Sequence, residues 1–260
     1  MSEAPILCER RDAVLWITID RPERRNALNN EVLRGIASGL RDVRDDNSTR
    51  AIVITGSGDR AFCAGGDLGS DSGSPFEFDP ARPRNPMIEL FTEFEACEVP
   101  TIARINGHAL AGGLGLVCAC DLAVATDKAT LGVPETAVGL FPMMILPYLQ
   151  RTLPHRKLME WCITGMRWSA AEALEAGLLN YVVPSEQLDE KMDWLLARIL
   201  DKSPTAIRLG KMAFHAIQDM TLPQAFEYTQ LMLPTMSRTE DAAEGFRAFR
   251  EKRSPDWPGR

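Results

Sequence analysis

The stretch 104–121, RINGHALAGGLGLVCACD, decides how the rest of the chain is read. The apolar run Thr101–Ile105 that leads into it has the character of a buried strand, and Asn106-Gly107 breaks that strand. Ala111-Gly112-Gly113 then opens an apolar segment, running to Cys120, that predicts a buried helix. Glycines at a helix opening let backbone N–H groups approach a ligand with no Cβ in the way. The first N–H groups of a helix have no internal partner, and the helix dipole favours negative charge there. The pattern predicts a site that holds an oxygen on which negative charge develops.

Working outward, a second glycine-rich stretch follows a second buried strand. Ala51–Thr55 is short and apolar, as a strand buried on both faces is. It runs into a glycine-rich loop, Gly56 to Gly73, that contains AFCAGGDL at 61–68. Residues 69–86 are polar and rich in Ser, Gly and Pro, which predicts a lid or surface loop. Upstream, Ala13–Asp20 alternates and is β-branched, as a strand is, and Asn29 is placed to cap a helix over about 30–44. Another helix is expected near 86–97. Short strands are expected at Leu122–Thr126 and Ala129–Val133, with Glu135 on the connection that follows. The last third predicts helices at 143–152, 155–164, 169–175, 186–201, 204–218, 223–236 and 239–251. The fold class is therefore α/β, a βαβ core followed by a helical C-terminal region.

A hydrophobic fraction of 45% in 260 residues supports a sizeable core. The net charge of −7, with no basic block, argues against nucleic acid or an anionic membrane surface as the main partner. No run approaches the ~18 apolar residues of a membrane span, so no membrane partner is expected. The six cysteines have no zinc-finger spacing, and Cys118 and Cys120, two apart inside the apolar helix candidate, read as buried thiols, which fits a reducing compartment and hence a cytoplasmic protein. The three histidines are scattered, which leaves a metal site or a histidine triad without support, and none of the common cofactor signatures is present. What remains is Ala64-Gly-Gly-Asp67, Ala111-Gly-Gly113 and the carboxylate of Glu135. Backbone N–H groups can polarise a carbonyl while a carboxylate moves a proton beside it.

Taken together, RPERRNALN at 21–29, AFCAGGDL at 61–68, NGHALAGGLGL at 106–116, VPETAVGLFP at 133–142, SAAEALEAGLLNYVVP at 169–184 and AFREKR at 248–253 resemble the enoyl-CoA hydratase/isomerase (crotonase) superfamily over nearly the whole chain. The resemblance implies a crotonase-like spiral of ββα units over residues 1–200, carrying an acyl-CoA site. It also implies a helical C-terminal trimerisation region over 201–260, in a homotrimer or a dimer of trimers. The implied substrate is an acyl-CoA thioester, with CoA part of the substrate and no other cofactor or metal. Carried over by position, the oxyanion N–H groups fall on Ala64 and Gly112, and Glu135 is the acid/base. Ala64, Gly65, Gly66 and Asp67 lie along the CoA pantetheine and adenine, Leu68 is counted with them as substrate-binding, and Arg24, Arg25 and Ala27 flank the nucleotide end. Phe249 and Lys252 match a C-terminal pair that reaches the adenine and phosphates. Two readings stay open for Arg24 and Arg25, phosphate binding and a solvated turn.

The sequence departs from the resemblance at Gly115, where two-glutamate hydratases carry their other carboxylate. With one carboxylate left, hydration and double-bond isomerisation are both open. A hydrolase-type homologue and a non-catalytic acyl-CoA binder are the remaining alternatives. The missing side chain is expected to leave space beside the acyl carbons, lined by Leu114, Leu140, Phe141, Met143 and Met144.

Overall fold

The strands form two sheets, one of six strands and one of four. The computed structural model describes residues 4–44, 46–67, 69, 80–81 and 84–260. The first sheet has the order β1 (Ile6–Arg11), β2 (Val14–Ile19), β3 (Ala51–Gly56), β5 (Thr101–Ile105), β7 (Leu122–Thr126), β10 (Tyr181–Val183). It is parallel throughout except for the β1–β2 hairpin. The second sheet has the order β4 (Ala61–Cys63), β6 (His108–Leu110), β8 (Thr130–Gly132), β9 (Arg167–Ser169), with only β8–β9 antiparallel. Between β3 and β8 the chain lays one strand in each sheet and then a helix. Thus β3, β4 and α2 (Pro86–Glu95) are followed by β5, β6 and α3 (Gly112–Ala119), and then by β7 and β8.

Period 2 is visible in β3. Ile52 and Ile54 face the main core with α1 (Asn30–Asp42) and α2, whereas Ala51 and Val53 face a second core. That second core is closed by Leu188, Met192, Leu195 and Leu196 of α7 (Leu188–Leu200). The apolar face of α7 is therefore spent inside the chain. Asn29 caps α1 as expected, its side chain accepting from Val32 N–H at 2.9 Å. From His155 on the chain adds α5 (His155–Thr164) and α6 (Ala170–Glu175), after the short α4 (Leu146–Thr152). It ends in α8 (Pro204–Ile217), α9 (Leu222–Ser237) and α10 (Glu240–Glu251).

Asn106 explains why Asn-Gly stands at the β5–β6 turn. Its Nδ2 donates to Gly56 O (2.8 Å) and Gly58 O (2.6 Å), and its Oδ1 accepts from Gly56 N–H and Thr55 Oγ1, each at 3.3 Å. The turns that join the two sheets are thereby tied side by side. Asn106→Ala strands these buried groups, and a loss of about 2–4 kcal/mol is expected at roughly 1–3 kcal/mol per orphaned group. Urea unfolding of the variant measures it, and an unchanged midpoint contradicts this role.

Five strands lie outside the sequence expectation. β1 is largely exposed and polar, so it has no apolar alternation to read. β4, β6, β9 and β10 have three residues each, too few for any period. The expected lid at 69–86 falls mostly on 70–79 and 82–83, outside the described residues.

Candidate active site

The site is built from the ends of second-sheet strands. Beyond β4, Leu28 N–H donates to Gly65 O (2.7 Å) and Asp67 N–H donates to Leu28 O (2.8 Å), a parallel bridge centred on Gly66. Successive backbone groups of an extended segment point opposite ways, so the N–H of Gly66 faces away from Leu28. It donates to none of the described residues. Gly65 has φ +95°, and a Cβ there would lie 2.7 Å from Ala111 Cβ and 3.5 Å from Gly112 N. Only glycine meets both demands, and through it the two glycine-rich stretches touch.

Ala111, which precedes α3, is held at φ +50° and ψ −125°. Such a conformation costs an alanine about 1–3 kcal/mol and persists only where the surroundings over-determine it. Here β6 and β8 do so, with Ala111 N–H donating to Gly132 O at 2.9 Å. Gly112, the first residue of α3, has no intrahelical acceptor for its own N–H. Two residues past Gly132, the chain enters a 3₁₀ turn, Pro134–Val138, that carries Glu135. Glu135 is half-buried, and its Oε2 has no partner among the described residues. Burial raises its pKa above the ordinary glutamate value, with its own backbone N–H offsetting part of the rise. Behind it lies the buried thiol of Cys162 on α5, which burial, and then the charge of Glu135, push up to about 11.

Three sequence-based expectations change. Ala64 N–H is not a free donor, because it donates to Arg25 O at 3.1 Å and pins the 21–29 turn to β4. The amide of that stretch that donates to none of the described residues is Gly66. The space expected beside Gly115 is filled, since a Cβ there would lie 2.2 Å from Ile145 Cγ2 and 3.2 Å from Phe91 Cζ. Nor does the 140–144 segment line an inner pocket as a unit. Leu140 and Met143 are exposed, Phe141 and Met144 pack partly on the core, and Leu114 lies fully inside it.

Other candidates have structural partners. Asp67 pairs with Arg21 at 2.8 Å, and Arg21 also donates to Ala27 O at 2.6 Å. Desolvation raises the Asp67 pKa, but the Arg21 hydrogen bond, the Gly69 amide and nearby guanidinium charge together hold it below the ordinary value. Ala27 is buried beneath this turn, and Arg24 and Arg25 are exposed on it. Arg25 lines a cleft of ≈ 600 Å³ that reaches Ala64 and Leu110 and also carries Arg60, Lys128 and Arg167. Sequence reasoning missed these last three because two come from separate strand junctions and one from β9, so they form no run. Phe249 and Lys252 are not brought to this site within one chain. Phe249 is exposed beside a separate apolar groove between α8, α9 and α10, and Lys252 ends α10 in the left-handed conformation. Leu68 lies outside the described residues. Among the described residues no group of three or more His, Cys, Asp or Glu could hold a metal ion, and no helix is long and apolar enough to cross a membrane.

A spiral of ββα units with a C-terminal helical region is the architecture of the crotonase fold. The chain belongs to the enoyl-CoA hydratase/isomerase family, whose sequence model matches residues 9–260. It is similar to the crystal structure of an enoyl-CoA hydratase from Mycobacterium smegmatis, with a TM-score of 0.91, 31% identity and coverage of 98% of this chain and 99% of that one. An enoyl-CoA hydratase from Mycobacterium tuberculosis H37Rv superposes with a TM-score of 0.89 at 32% identity, over 99% of this chain and all of that one. A Mycobacterium tuberculosis protein named "Probable enoyl-CoA hydratase echA8" is 34% identical over 100% of both chains.

Proposed function

We propose that this chain is an acyl-CoA enzyme that stabilises a thioester enolate and moves its proton with a single carboxylate. The thioester oxygen accepts from the N–H groups of Gly66 and Gly112, which lie on adjoining segments and have no acceptor among the described residues. Glu135 takes the proton from one carbon and returns it to another. The observation that carries this reading is the half-buried Glu135 carboxylate, with an unpartnered oxygen, on the turn that follows the strand bonded to Ala111. One base suffices for double-bond isomerisation, because the proton leaves and returns on the same group. Hydration on one carboxylate is the second reading, favoured by relatives named enoyl-CoA hydratase. The deciding experiment follows 3-hexenoyl-CoA and 2-hexenoyl-CoA at the conjugated enone absorbance. Isomerisation of the first raises it and hydration of the second lowers it; a protein that does neither contradicts the enzymatic reading. Catabolism of fatty or branched acyl-CoA in the cytoplasm is the setting this reading fits.

The cationic cleft fits the phosphate end of CoA. Arg60→Ala and Arg167→Ala are each expected to raise KM about tenfold at low salt with kcat nearly unchanged, since a charge-assisted hydrogen bond contributes roughly 1.5–3 kcal/mol. Steady-state kinetics at two ionic strengths checks this, and a KM equal to wild type in both variants removes the cleft from the substrate site.

α9 has no buried residue, and Phe226, Leu231 and Leu233 on it are each more than 60% exposed. A homotrimer or a dimer of trimers that covers this face is the expected assembly. Light scattering that finds only monomer at micromolar concentration contradicts it.

A further inference from the structure

The inference concerns Ile145 and Phe91 and rests on the enolate reading above. Gly115 lies three residues beyond Gly112 in α3, on the same face of the helix and one turn further in. Helical side chains lean toward the N-terminus, so a side chain at 115 would cover the surface leading back to the Gly112 amide. The structure puts two apolar groups at the root of that volume. Ile145 Cγ2 lies 2.2 Å from the position of a Cβ at 115, and Phe91 Cζ lies 3.2 Å from it. Both residues are buried, Ile145 at 2% exposure and Phe91 at 6%. Phe91 is fixed edge-on against Tyr148, ring centroids 4.9 Å apart, and Tyr148 OH donates to Glu95 Oε1 at 2.7 Å.

A held water needs two to four polar partners. On this side of α3 it finds two hydrocarbon surfaces, and the carboxylate offered to it is that of Glu135, whose Oε2 has no partner among the described residues. We propose that Ile145, backed by Phe91, is the specificity-determining residue of this enzyme, walling water off from the acyl carbons so that proton transfer prevails over water addition. In the favoured step Glu135 removes a proton from the α-carbon of a 3-enoyl thioester. The C–H electron pair delocalises over the dienolate, with its charge on the thioester oxygen. The same proton is then delivered to the γ-carbon, leaving the double bond conjugated. Atoms and charge balance with no co-reactant. Water addition would instead need a water held beside the β-carbon while its proton is removed, and the wall denies it a place.

The test is the ratio of kcat/KM for isomerising 3-hexenoyl-CoA to kcat/KM for hydrating 2-hexenoyl-CoA, measured for the full-length protein and two variants. Ile145→Ala removes the wall. Ile145→Thr keeps the β-branched shape but offers a hydroxyl to a water. Wild type is expected to favour isomerisation, and both variants are expected to lower the ratio about tenfold, the worth of roughly one hydrogen bond to the attacking water. A purely structural role would reduce both reactions together and leave the ratio where it was. Should Ile145→Ala not fold, Ile145→Thr alone decides. A folded variant with an unchanged ratio overturns the proposal, as does a wild type that hydrates faster than it isomerises. A wild type that isomerises but whose ratio resists both variants spares the enolate reading. One that catalyses neither reaction overturns both.

Discussion

Glu135→Gln is expected to lower kcat by about 10²–10⁴-fold, the usual contribution of a positioned general acid–base. Binding of a CoA thioester should change little, because Gln leaves the Gly66 and Gly112 amides and the cationic cleft in place. Calorimetric titration with a saturated acyl-CoA separates the two effects. A variant that keeps more than about a tenth of the wild-type kcat has its base elsewhere. The pH profile carries the same assignment. In the proposed role a carboxylate accepts a proton only when ionised, and burial raises the pKa of Glu135, so the acid limb of kcat/KM should lie above the range of an exposed glutamate. The raised pKa also bears on stability. The folded state binds this proton more tightly than the unfolded chain does, so its contribution is present below the unfolded pKa and is lost as pH rises through the folded one. The fold with Glu135 ionised is therefore less stable than the fold with it protonated.

What the sequence disclosed, and what it hid, follows from the range of the interactions involved. α1 and its Asn29 cap, β3 buried on both faces, and α3 opening at Gly112 are encoded in neighbouring residues and were legible. So was the place of Glu135, on the connection that follows β8. The choice between Ala64 and Gly66 was not, because it depends on a hydrogen bond from Ala64 N–H to Arg25 O, thirty-nine positions back. The cationic cleft was hidden for a related reason. Arg60 sits between β3 and β4, Lys128 between β7 and β8, and Arg167 on β9, and only the stacked turns bring them together. The 186–201 helix was legible as a helix, but only the fold shows that its apolar face is spent on the first sheet. Patterns report that a face is apolar without naming what covers it.

Gly115→Glu is expected to destabilise the fold severely rather than restore a two-carboxylate site. The β-carbon alone would stand 2.2 Å from Ile145 Cγ2, a separation that real Cβ atoms essentially never show. Ile145 is 2% exposed and follows directly on Met144, which packs against the same core, so it has little room to yield. Overpacking of this kind costs about 1–3 kcal/mol, occasionally more. The carboxylate adds a further penalty of roughly several kcal/mol, since it would be desolvated beside Ile145 and Phe91. Against these, the gain in helix propensity over glycine is only about 0.5–1 kcal/mol. A net loss of ~4 kcal/mol or more is a large part of the ~5–15 kcal/mol that holds a domain together. At about 2–4 °C per kcal/mol for a chain of this size, Tm should fall by ~8 °C or more. Gly115→Ala isolates the steric part and should lose about 1–3 kcal/mol with no charge involved. Pairing Gly115→Glu with Ile145→Ala should recover part of the stability, because the two positions compete for one volume and their effects are coupled. A Gly115→Glu protein that melts with wild type would mean that Ile145 moves aside freely, and the wall beneath the Gly112 amide would then be no barrier to water.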